Sequence, residues 1–223
     1  LTTDQAHAIT ATQISNLTTA QLFKMETQDL AALTTAAVAA LTGTQLSGLS
    51  NAEIKAFTTE QISKLTPDAL KKLSVGQIQA LTTDQLPVLT SDQIKALTTT
   101  QIRALTTGDD GQVAALSTDQ VVALKTAQVA ALTTAQVAAM QTDDLVKLTT
   151  SQVQALTTAQ VNAISVDTQF AALTSTQLNA MTSAQVAKLT TAQVVAMTTL
   201  QAANLGTTQA AALTTAAIAA MDV

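Results

Sequence analysis

Large apolar residues recur along the chain in pairs five residues apart, and the pairs themselves recur every eight: Leu89 with Ile94, Leu97 with Ile102, Leu132 with Val137, Leu156 with Val161. The polar positions between them are as regular, as in Leu132-Thr-Thr-Ala-Gln-Val-Ala-Ala139. Thirteen such octads run to Ala104, and an eleven-residue copy spans Leu105 to Ala115. Six octads then reach Ala163, a nine-residue copy spans Ile164 to Ala172, and six more end at Ala220 before Met221 opens another. Residues 1–223 therefore read as one octapeptide-repeat array of about 27 copies, irregular only at 105–115 and 164–172.

The octad carries its own helix-start signal. Its second residue is Ser or Thr in 23 of 27 copies and its fifth is Gln or Glu in 22, so nearly every copy holds a capping box. In that motif the hydroxyl accepts from the third helical N–H, and the Gln side chain reaches back to the Thr N–H. The apolar first residue can pack on the sixth as a hydrophobic staple. The four copies without the hydroxyl (Glu26, Lys125, Gln141, Gly206) all have Thr next, which keeps a hydroxyl near the cap. Pro67 falls at the first helical position, where its missing N–H is harmless. Acids such as Asp4, Glu60 and Asp92 sit in the first turn, and nine of ten basic residues sit at the seventh or eighth position, as helix dipoles favour.

That sorting of charge every eight residues implies many helix ends. One continuous helix would turn the apolar stripe by about 80° per copy, and its first and sixth positions would face ~140° apart. No heptad or eleven-residue period supports a coiled coil. In a β-solenoid the first and sixth positions would point to opposite faces, and Ala and Gln are weak strand residues. The expected fold class is all-α: a repeat solenoid with one very short helix per octad, bent at Leu-Thr and wound into a narrow superhelical rod. The first and sixth positions line its axis, with three or four octads per superhelical turn. A single unit is too short to stand alone, so neighbouring coils must stabilise one another.

The irregular places are where a loop could carry chemistry. In Gly108-Asp109-Asp110-Gly111, Asp109 with Gln112 restores a box-like start, and the two acids are too few oxygen ligands for a cation site. The extra residue in Ser165-Val166-Asp167-Thr168 is expected to be absorbed by a longer helix or bend. Pro87, at a seventh position, removes a helical hydrogen bond and predicts a distorted or shortened helix.

Composition narrows function by exclusion. The 223 residues are 47% apolar but only 1% aromatic and 11% charged, which argues against an ordinary globular core and against disorder alike. A net charge of −5 disfavours a nucleic-acid partner, and no apolar run is long enough to span a membrane. No signal peptide is read in this stretch, and no Cys is present for disulfides or thiolate metal sites. His7, the sole histidine, has no catalytic or ligating partner in sequence and is expected to face solvent. The Met residues occupy the Leu position as core fillers, and the Asp109–Asp110 and Asp143–Asp144 pairs read as ordinary solvated acids. No catalytic, cofactor-binding or metal residue is assigned, no cofactor is implied, and the chain is not expected to be an enzyme.

The Leu-Thr-Thr-x-Gln octads, over the whole chain, resemble the arrays of large, surface-exposed or adhesin-like bacterial proteins. The resemblance implies an extracellular or cell-surface setting and a rod-like role without site residues. The expected function is a structural spacer, stalk or filament segment of a larger repeat protein. Its partners would be neighbouring repeats or copies stacked end to end, since both ends look like interior copies without polar caps. The alternative is a protein- or carbohydrate-binding module whose specificity lies in the variable seventh position (His7, Phe23, Lys55, Gln79, Arg103, Val122, Asn162). A further alternative is ice binding by the third-position Thr ranks.

Overall fold

A computed structural model of the chain describes residues 1–108 and 111–222. Among these residues the secondary structure is entirely helical, in 24 α-helices of four to six residues, one π-helical turn at Val166–Phe170 and a 3-10 turn at Ala220–Asp222. The helices are short because each is interrupted by the next start signal. Thr58 is extended (φ −70°, ψ 160°) and its Oγ1 accepts from the Gln61 N–H at 3.2 Å, while Gln61 Oε1 accepts from the Thr58 N–H at 2.8 Å. Helix Thr59–Lys64 follows and closes when the Leu65 N–H donates to the Ile62 carbonyl at 3.2 Å. Leu65 is again extended (φ −60°, ψ 138°), and so is Thr66. The Leu-Thr pair is thus the bend, as its sequence predicts.

Where the hydroxyl is missing, the following Thr does not replace it. Glu26 and Gly206 make no side-chain cap bond, and Thr27 and Thr207 simply begin their helices.

The chain packs as two compact units, Leu1–Leu116 and Ser117–Val223. In each, a helix lies against the third one along. In the first unit Thr3–His7 packs on Thr27–Ala32, and Thr35–Ala39 on Thr59–Lys64. In the second, Thr126–Ala131 packs on Thr150–Ala155, and Ser183–Val186 on Thr207–Ala212. This third-neighbour stacking is the signature of a solenoid. The core of each unit is built from the first and sixth octad positions, as in Leu65 and Ile62 or Leu156 and Val161, all nearly or fully buried. Met25, Met140 and Met181 are buried at the Leu position.

The two long copies keep their core by different routes. In the eleven-residue copy the box is closed by Thr106: its N–H donates to Gln112 Oε1 (3.2 Å), and its Oγ1 accepts from the Gln112 N–H (3.1 Å). The expected Asp109 start falls outside the described residues, and Gln112 is paired with the octad's ordinary second residue instead. Gly108 has φ +116°, a conformation that favours glycine. A Cβ on Gly111 would lie 2.6 Å from the Thr107 carbonyl carbon. Thr106 and Gln112 thus pair although six residues apart, and Val113 stays buried. In the nine-residue copy the extra residue widens one helical turn, with Phe170 N–H reaching the Ser165 carbonyl five residues back at 2.8 Å.

Pro87 behaves as its chemistry requires. Residues 81–88 contain no α-helix, yet Thr82 and Gln85 keep both capping bonds (2.9 and 3.1 Å) and Leu86 remains fully buried.

Candidate functional site

The feature that ties coil to coil is the fifth-position glutamine. Its Oε1 is used within its own octad, accepting from the cap N–H, which leaves the Nε2 hydrogens free to point across to the preceding coil. Gln77 Nε2 donates to the carbonyls of Leu46 and Leu49, both at 2.7 Å, 31 and 28 residues earlier. Gln61 does the same to Leu30 (3.0 Å) and Leu33 (2.7 Å), and in the second unit Gln160 reaches Val129 (2.9 Å) and Leu132 (2.6 Å). The recipients are the first-position carbonyl together with, most often, the sixth of the octad before it, or the seventh for Gln85, Gln169 and Gln209. The sixth-position carbonyl also accepts the N–H that closes its own helix. Offsets of 28 and 31 residues place between three and four octads in each superhelical turn.

These glutamines are buried, with Gln61 and Gln77 each 2% exposed, so the amide is a fully used polar group inside the wall of the solenoid. Even the irregular copies preserve it. Gln112 reaches Ile78 and Leu81, and Gln169 reaches Met140, each at 2.7 Å.

Segments of this chain match the family model of the ALTTAQ repeat, over residues 22–59 and, in overlapping stretches from 62–99 to 168–199, over 62–199. The chain belongs to the ALTTAQ repeat family. No curated protein matches it.

Against this ALTTAQ framework the residues that depart from it stand out. Three copies replace the glutamine by an acid: Asp29, Glu53 and Asp144, respectively 1%, 5% and 5% exposed. Glu53 retains the cap, with Oε2 accepting from the Ser50 N–H at 2.6 Å, but its Oε1 is buried without a hydrogen-bond partner. Both Asp29 oxygens are likewise without one, the Leu1 amino group lying 3.9 Å from Oδ2. Asp144 accepts from the Thr118 hydroxyl at 2.7 Å. Burial pushes its carboxyl above the usual 3.8; the Thr118 bond opposes that rise and neighbouring Asp143 adds to it. The expectation that Asp143 and Asp144 are both solvated is therefore corrected for Asp144. The fifth position faces the coil beneath, and only Asp143 is exposed.

Among the described residues no three His, Cys, Asp or Glu side chains are grouped so as to hold a metal ion, and no helix is long and apolar enough to cross a membrane. Asp109 and Asp110 lie outside the described residues. His7 is exposed, its Nδ1 3.1 Å from the Ala32 carbonyl of the helix stacked above. The seven variable seventh-position residues (His7, Phe23, Lys55, Gln79, Arg103, Val122 and Asn162) are all exposed. The amide ladder was the part that sequence reasoning missed. Its signal was present, since a capping box needs only an oxygen at the fifth position, yet the chain almost always chooses the amide over the equally suitable Glu.

Proposed function

We propose that this ALTTAQ array is a structural spacer, a stalk or filament segment of a larger repeat protein, set outside the cell or on its surface and without enzymatic activity. The observation that carries the reading is the uniformity of the coil-to-coil joint. The same Nε2 donor reaches the first-position carbonyl of the preceding coil in both units, and even the copies with insertions keep that bond. A polymer with one repeated joint lengthens by a fixed increment per octad, which is what a spacer needs. The near-absence of variation at buried positions, against free variation at the exposed seventh, fits selection for length and cohesion.

Small-angle X-ray scattering on the full chain and on a chain lacking the six octads 25–72 tests this. The expected result is a maximum dimension that falls in proportion to the octads removed. A dimension that follows the cube root of mass would remove the spacer reading. The second reading, a protein- or carbohydrate-binding module, is favoured by the exposure of all seven variable side chains. Under it, exchanging Lys55 and Arg103 for Glu abolishes capture of a surface ligand and leaves the dimension untouched.

A further inference from the structure

The flank of the first unit carries cations in a register that its helices do not require. The helix dipole favours a base at the C-terminal end of each short helix, which accounts for Lys and Arg at the seventh and eighth positions one octad at a time. It does not account for their alignment between coils. Gln93 Nε2 donates to the Ile62 carbonyl (3.1 Å) and Gln101 Nε2 to that of Leu70 (2.9 Å), each 31 residues back. Two residues along from both ends of these bonds stand Lys95 with Lys64 and Arg103 with Lys72, so each pair is also 31 residues apart, one coil above the other. Lys24 and Lys55 have the same separation. Every eighth-position lysine of the first unit therefore has a seventh-position cation one turn on. Like charges so placed repel, and the winding gains nothing from them.

Lys64, Lys72, Lys95 and Arg103 are all exposed. The helices beside them, Thr59–Lys64, Pro67–Leu70, Ser91–Ala96 and Thr99–Ala104, are each stacked on another, so it is the flank of the winding that they cover. Compensation is slight. Asp68 is held by Lys71 at 3.0 Å, and Asp92 lies 3.9 Å from Lys95 as an exposed pair of little strength. Lys64, Lys72 and Arg103 make no ion pair among the described residues.

We propose that the Lys64–Lys95 and Lys72–Arg103 pairs form a binding site for an acidic polysaccharide, a sugar chain bearing carboxylate or sulfate groups. Packed helices lie about 8–10 Å apart, and the long stems let both cations of a pair reach one anionic group or two consecutive ones. The two pairs are one octad apart along the coil, so a chain with recurring anionic groups meets them in succession. The ground around them selects a sugar. Thr66 and Ser74, exposed beside Lys64 and Lys72, accept from the Ala69 and Gln77 N–H groups (both 3.2 Å) and give their own O–H to nothing among the described residues. Across residues 57–104 the one aromatic side chain, Phe57, is 2% exposed, and Val75 is the one exposed large apolar side chain. The bases of a nucleic acid find no ring to stack on, and an acidic protein segment finds no apolar anchor. The proposal rests on the second reading above, whose ligand it names, and leaves the spacer reading intact.

Equilibrium binding of the full chain to immobilised polygalacturonate and dextran sulfate tests it, with neutral dextran and single-stranded DNA alongside. The variant Lys64→Gln, Lys72→Gln, Arg103→Gln breaks both pairs. The control Lys125→Gln, Lys147→Gln, Lys188→Gln removes the same three charges from the second unit, where no such pair occurs. Both are checked for an unchanged circular dichroism spectrum and melting temperature. The natural chain is expected to bind at least one of the acidic polysaccharides, less tightly as salt is raised. Preference for polygalacturonate identifies the anionic group as carboxylate, and preference for dextran sulfate as sulfate. The pair variant should lose about tenfold or more in affinity, and the control should match the natural chain. On the natural chain itself, saturating polysaccharide should slow acetylation of Lys64, Lys72 and Lys95 and leave Lys147 and Lys188 unaltered, read by mass spectrometry. No binding to either acidic polysaccharide, equal losses in both variants, tighter binding of the DNA, or unslowed acetylation at the three lysines would each overturn the proposal. Equal capture of neutral dextran would overturn the acidic ligand while leaving the binding-module reading standing.

Discussion

Glu53 and Gln61 occupy the same octad position and cap their helices in the same way, yet one hands two hydrogens to the coil beneath and the other presents a bare oxygen. By the 28- and 31-residue offsets, the carbonyls beneath Glu53 belong to Met25 and Leu22. The Leu22 carbonyl keeps only the Met25 N–H (2.9 Å), the Glu53 Oε1 has no donor at all, and an unsatisfied buried acceptor costs about 1–3 kcal/mol. Glu53→Gln is expected to stabilise the first unit by about that amount, read as a higher urea midpoint at neutral pH. An unchanged or lower midpoint would mean that the glutamine amides contribute little. Asp144 makes the parallel case with a pH signature. Its carboxyl titrates above 3.8 in the folded chain, chiefly through burial, so the fold prefers the protonated form. That preference is fully present below 3.8 and is lost as pH rises through the elevated folded value, leaving a buried charge at neutral pH. Asp144→Asn keeps an oxygen for the Thr118 hydroxyl and removes the charge. It should raise the denaturation midpoint at pH 7, with the gain shrinking as the pH falls below that window. A gain independent of pH would point to packing instead.

At the scale of the short helix, the cap and the bend were legible because all their partners lie within three residues, a distance that a sequence pattern states directly. Thr58 with Gln61, Pro67 at the first helical position and the break at Pro87 follow from local chemistry alone. The second use of glutamine showed only as the preference for the amide over Glu, and its partners did not show, since they lie about thirty residues away and depend on the pitch of the winding. The burial of Asp144 was hidden for the same reason. Around Gly108 the expected Asp109 start lies outside the described residues, while Thr106, six residues before Gln112, closes the box and Val113 stays in the core. This geometry makes the insertion removable. Deleting residues 108–110 leaves Leu105-Thr-Thr-Gly-Gln-Val-Ala-Ala, a regular octad with Thr106 and Gln112 at capping-box spacing. The shortened chain is expected to fold with undiminished helical ellipticity and a denaturation midpoint at or above that of the natural chain, because the closed loop costs entropy. A lower midpoint would show that the loop supports the coil it leaves.

For the molecule as a whole, the decisive quantity is the reach of its joints. Within each unit a helix stacks on the one three octads along, and the glutamine bonds span 28 to 34 residues. A chain so connected behaves as a row of coupled coils, in which a local defect should be felt one turn away and little further. Gln77 offers a clean test inside the first unit. Gln77→Ala removes the 2.7 Å bonds to Leu46 and Leu49 and the acceptor for the Ser74 N–H, while adding no charge. Hydrogen–deuterium exchange should speed up at residues 46–50 and 74–80, whose groups lose partners, and remain unchanged at residues 1–22, more than one turn away. Exchange that rises evenly across the unit would show that it opens as a single cooperative block, and the joints would then be parts of one core instead of links in a row.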